Sequence, residues 1–129
     1  MKRIILSLGV LILITQNVFA RSDAEYDKMI ANEKDITWKQ VYRCNKIRNK
    51  PHTANINICL KALTMLTKNY PNTDSSATLL NIGYIYDETG DDLNGYKYYM
   101  KAAKSGGNSN IQAQKNLNIM CKESPWACK

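Results

Sequence analysis

The side chains here whose types and spacing could support chemistry are four cysteines, one histidine, a run of carboxylates and scattered serines. Cys44, Cys59, Cys121 and Cys128 admit two readings. Four thiolates can hold zinc, but structural zinc sites draw on close Cys-x-x-Cys pairs or well-spaced histidines, and neither is present. An even number of cysteines in a small exported chain otherwise signals two disulfides. Three pairings are open. Cys44 with Cys59 and Cys121 with Cys128 is preferred, because each pair is close in sequence and brackets a proline, Pro51 and then Pro125. The first bridge would close a loop of roughly 15 residues, worth about 3 kcal/mol in the chain-entropy model. Cysteines spent on bridges leave no thiol nucleophile.

His52 follows Pro51 in a predicted loop, and no partner motif equips it as a general base. Ser75, Ser76, Ser105, Ser109 and Ser124 fall in turns or at helix caps, outside any nucleophile-elbow pattern. Asp87, Glu88, Asp91 and Asp92 form the one acidic cluster. A calcium loop needs alternating oxygen ligands over about twelve positions and a closing glutamate, and this run has neither. Helix capping explains the cluster, which could also serve as a recognition patch for a basic partner. No catalytic set, metal site or cofactor is expected.

The elements that would position these groups begin after a targeting segment. Lys2 and Arg3 precede an apolar stretch, Ile4 to Ile14, and Val18-Phe19-Ala20 ends on a small residue. That pattern fits a cleaved secretory signal over residues 1–20 better than a membrane anchor. Residues 21–129 then form one small domain, expected in the periplasm and off the membrane. The whole chain carries a formal charge of +7, and cleavage removes two of the cations, Lys2 and Arg3. The remaining excess is interleaved with Asp23, Glu25, Asp27, Glu33 and Asp35, with no basic stripe. Nucleic acid is therefore excluded as a partner.

The periodicity is helical throughout. Ser22-Asp-Ala-Glu25 reads as a capping box opening a helix toward Asn32. Asp35 or Thr37 caps a second helix carrying Trp38, Val41, Tyr42 and Ile47, which Lys50-Pro51 ends. Ile56, Cys59, Leu60, Leu63 and Leu66 share one face of a third. After the turn Asn69 to Asp74, a helix restarts near Ser75 and buries Leu79, Ile82, Gly83 and Tyr86. Asp91 or Asp92 caps the next, with Gly95, Tyr99 and Ala102 on one face, and Ser105-Gly-Gly107 stops it. A last helix, about Asn110 to Cys121, buries Ala113, Leu117 and Met120. No period-two pattern persists, so the fold is expected to be all-α.

Thr78 to Tyr86 recurs in degraded form as Ala113 to Cys121. Asn81 answers Asn116, Ile82 answers Leu117, Ile85 answers Met120 and Tyr86 answers Cys121, about 35 positions apart. Cys59, Leu63, Leu66 and Pro71 likewise precede Gly95, Tyr99, Ala102 and Gly107 by about 36. Ile82-Gly-Tyr-Ile-Tyr86, the small–aromatic–small set Gly95, Tyr99 and Ala102, and Lys101-Ala-Ala-Lys-Ser-Gly106 resemble tetratricopeptide-type repeats, most closely the Sel1-like subfamily and its exported, cysteine-containing members. The likeness is good over 76–121, fair over 55–75 and weak before that. The usual Gly-x-Gly-Val turn is replaced by Gly90-Asp-Asp-Leu-Asn94, and Asn118 stands where a glycine is expected.

The resemblance implies a short right-handed α-solenoid of stacked helical hairpins. Its glycine and small residues would let paired helices approach, with Tyr86 and Tyr99 as packing and Tyr84 and Tyr98 nearer the surface. It also implies a protein-binding groove on first-helix positions, which map onto Leu80, Tyr84, Asp87, Glu88, Lys115, Ile119 and Lys122. Tyrosine among mixed charges suits such an interface. The expected partner is another protein, and small exported members resemble immunity proteins that block a cognate toxin or effector. An envelope scaffold or adaptor, and a cysteine-rich hydrolase of the β-lactamase kind, are the alternatives. Apolar surface at the ends of a short stack would favour a homodimer.

Overall fold

In the computed structural model residues 21–129 are described; the predicted export signal, 1–20, lies outside them. Among the described residues there are six α-helices and no strand: α1 (Asp23–Asn32), α2 (Ile36–Ile47), α3 (Ile56–Asn69), α4 (Ser76–Glu88), α5 (Asp92–Lys104) and α6 (Asn110–Glu123). Single 3₁₀ turns at Thr53–Asn55 and Pro125–Cys128 precede α3 and follow α6. Each helix packs on the next, and α4 also touches both α2 and α6.

The starts of the helices follow from side-chain caps. The Ser22 hydroxyl accepts from the Glu25 N–H at 3.1 Å, and the Ser22 N–H donates to the Glu25 carboxylate at 2.9 Å. Two orphan donors are thus satisfied reciprocally, as a capping box requires. Asp35 accepts from the Thr37 N–H at 2.8 Å and Asp91 from the Asn94 N–H at 3.1 Å. Of the two alternatives open at each start, the earlier residue is the cap.

Helix α2 ends at Ile47, before the predicted stop at Lys50. The chain then tightens into three-residue turns, with Asn49 N–H bonded to Lys46 O at 3.1 Å and Lys50 N–H to Ile47 O at 3.0 Å. The restriction proline places on its predecessor reaches back through that last turn. Its buried face is Thr37, Gln40, Val41, Cys44 and Ile47, while Trp38 and Tyr42 lie half-buried on its flanks. Helix α6 runs two residues past the expected Cys121 and buries the predicted Ala113, Leu117 and Met120.

Helix α4 is the centre of the molecule. Ile82 and Ile85 join Val41, Cys44, Ile47, Cys59, Ala62 and Leu66 in one core. Leu79 and Leu80 join Tyr99, Ala102, Ala113, Leu117 and Met120 in a second. A helix with neighbours on several sides needs apolar residues around most of its circumference, and α4 has them. Each fully buried isoleucine contributes about 1.5–3 kcal/mol relative to exposure.

The close approach of α4 and α5 requires glycine. A Cβ on Gly83 would fall 2.6 Å from the Tyr99 ring and 3.1 Å from its backbone nitrogen. One on Gly95 would meet the Asp87 backbone nitrogen at 3.3 Å. The expectation that small residues bring these helices together is met at this crossing.

Two disulfides are present in the preferred pairing. Cys44–Cys59 joins α2 to α3 with both sulfurs fully buried, across a separation of 15 residues. Cys121–Cys128 ties α6 to the closing 3₁₀ turn across 7. With both bridges formed, no cysteine remains free.

Candidate functional site: the faces of α4 and α6

The residues predicted to line a groove come from two helices that touch, α4 (Leu80, Tyr84, Asp87, Glu88) and α6 (Lys115, Ile119, Lys122). Their exposure divides them. Lys115 and Lys122 are exposed, and Tyr84, Glu88 and Ile119 are half-buried. Leu80 and Asp87 face inward, at 6% and 9% exposure. Neither can serve as groove lining.

The physical reason is the position of α4. Leu80 and Asp87 are seven residues apart, on one stripe of the helix. Leu80 packs in the second core beside Tyr99 and Ala113. Asp87 accepts a 2.9 Å hydrogen bond from the Tyr99 hydroxyl. That hydroxyl is pushed well above its ordinary pKa, by burial first and by the Asp87 charge next. A neutral phenol donating to a buried carboxylate is thus a tie between α4 and α5.

The structure adds two residues that the sequence reading did not place here. The Arg48 guanidinium lies over the Tyr84 ring, 5.6 Å from its centroid. Tyr84 is raised above its usual pKa by burial and then by the Glu88 charge, while Arg48 opposes the shift. Asn45 accepts from the Asn81 side-chain amide at 2.7 Å. The signal for Asn45 was present: it precedes Asn81 by 36 residues, nearly the interval at which Asn116 follows. Asn116 in turn accepts from Gln112 at 2.8 Å. Of these residues the accessible or half-buried ones are Asn45 and Arg48 at the end of α2, Tyr84 and Glu88 on α4, and Lys115, Ile119 and Lys122 on α6.

The tyrosines sort differently from expectation. Tyr99 is fully buried, as a packing role demands. Tyr86 is half-buried and stacks on Tyr98, ring centroids 5.8 Å apart. Lys101 and Lys97 lie over the Tyr98 ring at 5.0 and 5.5 Å. The half-buried Tyr98 is held by cations and a neighbouring ring together.

Other candidate chemistry is taken up by architecture. His52 Nδ1 accepts from the Ala54 N–H at 3.1 Å and opens the turn before α3. The acidic cluster disperses: Asp87 holds Tyr99, Asp91 caps α5, and Asp92 accepts from the Ser124 hydroxyl at 2.6 Å. The Ser76 hydroxyl accepts from Ser109 N–H, and the Ser105 hydroxyl donates to Ala102 O. Among the described residues no three His, Cys, Asp or Glu side chains gather as a metal site. No described helix is long and apolar enough to cross a membrane.

No family model, curated protein or solved structure matches this chain.

Proposed function

We propose that the chain is an exported protein-binding repeat of Sel1-like or tetratricopeptide type, acting in the periplasm as an immunity protein against a cognate toxin. In this reading α2/α3 and α4/α5 are successive hairpins of a short right-handed α-solenoid, α6 opens a third unit, and the bridges staple the array. The observation that carries it is bonding between residues about one repeat apart, on the first helices or at their N-terminal ends. Asn81 bonds Asn45 across 36 positions at 2.7 Å, and Ser109 N–H bonds the Ser76 hydroxyl across 33 at 3.0 Å. Stacked repeats bury a continuous core and leave an extended surface suited to another polypeptide. The surface offered is Arg48, Tyr84, Glu88, Lys115, Ile119 and Lys122, an aromatic and an aliphatic group set among charges of both signs.

No catalytic role is proposed for His52, Asp87, Asp91 or Asp92, whose polar atoms cap and tie helices. The test is co-expression with the products of neighbouring reading frames, followed by pull-down and a growth assay. An exported toxin should be retained and neutralised, and Tyr84→Ala combined with Lys115→Glu and Lys122→Glu should abolish both. Retention of an envelope assembly protein would move the reading to an adaptor. Turnover of a cell-wall or β-lactam substrate by the purified protein would defeat it. Mass spectrometry of the exported product should find Arg21 at its N-terminus.

A further inference from the structure

A cleft of about 460 Å³ opens between α1, α2 and the start of α3, away from the faces discussed above. It is lined by Asp23, Asp27 and Ile30 from α1, Arg43, Lys46, Ile47 and Lys50 from α2 and its final turn, and Asn55 and Ile58 from the entry to α3. On α2 the lining residues Arg43 and Ile47 lie about half a turn from Asn45, so this site is independent of the proposed protein-binding face.

The lining has an aliphatic floor and a charged rim whose members are unequally committed. Ile30, Ile47 and Ile58 form the floor. Asp27 is paired with Lys46 at 2.7 Å, and Asp23 accepts from the Asn49 side-chain amide at 2.8 Å. Asp27 is thus charge-paired, whereas Asp23 is oriented by a neutral amide and keeps its charge at the α1 side of the cleft. Arg43 and Lys50 are exposed, and among the described residues neither has a carboxylate partner.

Arg43 is also aimed. Gln40, only 6% exposed, donates to the Ile58 carbonyl at 3.0 Å and accepts from Arg43 Nη1 at 3.4 Å. A guanidinium has five N–H donors, and this contact occupies one of them. The rest of the fork remains available for a planar anion.

We propose that this cleft binds an aliphatic carboxylate, its hydrocarbon part on Ile30, Ile47 and Ile58 and its carboxylate between Arg43 and Lys50. The volume falls in the range of small-ligand sites, and the lining sets three cations (Arg43, Lys46 and Lys50) against two carboxylates, so one positive charge in excess over an apolar floor is the complement of a single carboxylate. The chemistry is shared by a free aliphatic acid and by the leucine, isoleucine or valine C-terminus of a polypeptide.

The test is methyl and amide NMR titration of the oxidised protein with three probes: hexanoate, a pentapeptide ending in leucine with a free carboxylate, and the same peptide amidated. Methyl shifts at Ile30, Ile47 and Ile58 should appear with a free-acid probe at low millimolar concentration. Amidation should weaken the peptide about tenfold, the scale of a lost charge-assisted hydrogen bond. Arg43→Gln with Lys50→Gln should weaken either acid by at least as much. Both positions are exposed, and an unchanged amide spectrum would show that the double variant is folded. Tighter binding of the peptide would assign a chain terminus, and tighter binding of hexanoate a free acid. Absence of shifts at about 5 mM of both acids, equal binding of the amidated peptide, or full binding by the double variant would each overturn the site.

Discussion

Where α2 crosses α3 the chain has a buried disulfide; where α4 crosses α5 it has a glycine against a tyrosine ring. Cys59 precedes Gly95 by 36 residues, and the two helix pairs that hold them solve one problem, close approach, in two ways. Cys44 and Cys59 bring their Cα atoms to 4.7 Å through a covalent bond. Gly83 and Gly95 bring α4 onto α5 by having no side chain, and Tyr99 fills the remaining space. The first closure depends on an oxidising compartment, whereas the second depends only on shape and one buried hydrogen bond. The molecule thus has one helix pair sensitive to reduction and one sensitive to volume.

The largest expected effect falls on the second pair. Tyr99→Ala should lower stability by about 3–5 kcal/mol, the range for deleting a buried aromatic ring. It also leaves Asp87 buried without the phenol that donates to it. Denaturant unfolding should show it, with hydrogen exchange accelerating in α4 and α5 before α2 and α3. A loss under 1 kcal/mol would mean that the glycine–tyrosine crossing does not hold this pair.

Opening the bridges probes the other pair. Replacing Cys44 and Cys59 by alanine should cost about 3 kcal/mol, while the same change at Cys121 and Cys128 should cost about 2, because the loop is shorter. The first should raise exchange across α2 and α3, the second only in the terminal turn. Equal exchange patterns from the two variants would erase the distinction between the pairs.

Gly83→Ala separates shape from chemistry, since it adds one carbon where the Tyr99 ring and backbone already stand. About 1–3 kcal/mol should be lost, as for overpacking elsewhere. Combining it with Cys44→Ala and Cys59→Ala should give nearly additive losses if the crossings act separately. Strong coupling would instead show that α4, shared by both cores, transmits the strain.

Much of this organisation was legible in the sequence, and the parts that were not share a cause. The helices, the Ser22–Glu25 capping box, the buried Ala113, Leu117 and Met120, and the disulfide pairing depend on local spacing, which one chain displays directly. The inward turn of Leu80 and Asp87 depends on α4 being surrounded. A helix with several neighbours has no outer face to read from periodicity. Arg48 over Tyr84 was missed because it joins side chains from different helices. The carboxylates looked like one cluster because they are close in sequence, yet successive positions around a helix end point to different partners.

The smallest expected effect concerns a feature the two pairs share. In each, an aspartate at the start of the first helix also receives a bond from beyond or near the end of the second. Asp35 accepts from Thr37 N–H and from the Tyr70 hydroxyl. Asp74 accepts from Ser76 N–H at 2.8 Å and from Asn108 N–H at 2.7 Å. Both carboxyls are held below their ordinary pKa, Asp35 chiefly by Tyr70 and Asp74 chiefly by the Ser76 side chain and then Asn108 N–H. A carboxyl whose pKa is lower folded than unfolded adds stability above its unfolded value, and that stability fades as pH falls through the folded one. Both pairs should therefore loosen from about pH 4 downward, where the unfolded chain takes up protons first. Asp74→Asn should cost about 1 kcal/mol or less near neutral pH, since the group is largely exposed, and should flatten the acid limb for amides of α4 and α5. Asp35→Asn should flatten it for α2 and α3. If either variant flattened both limbs equally, the two closures would be one cooperative unit, and the division between a bridged pair and a packed pair would hold only for large perturbations.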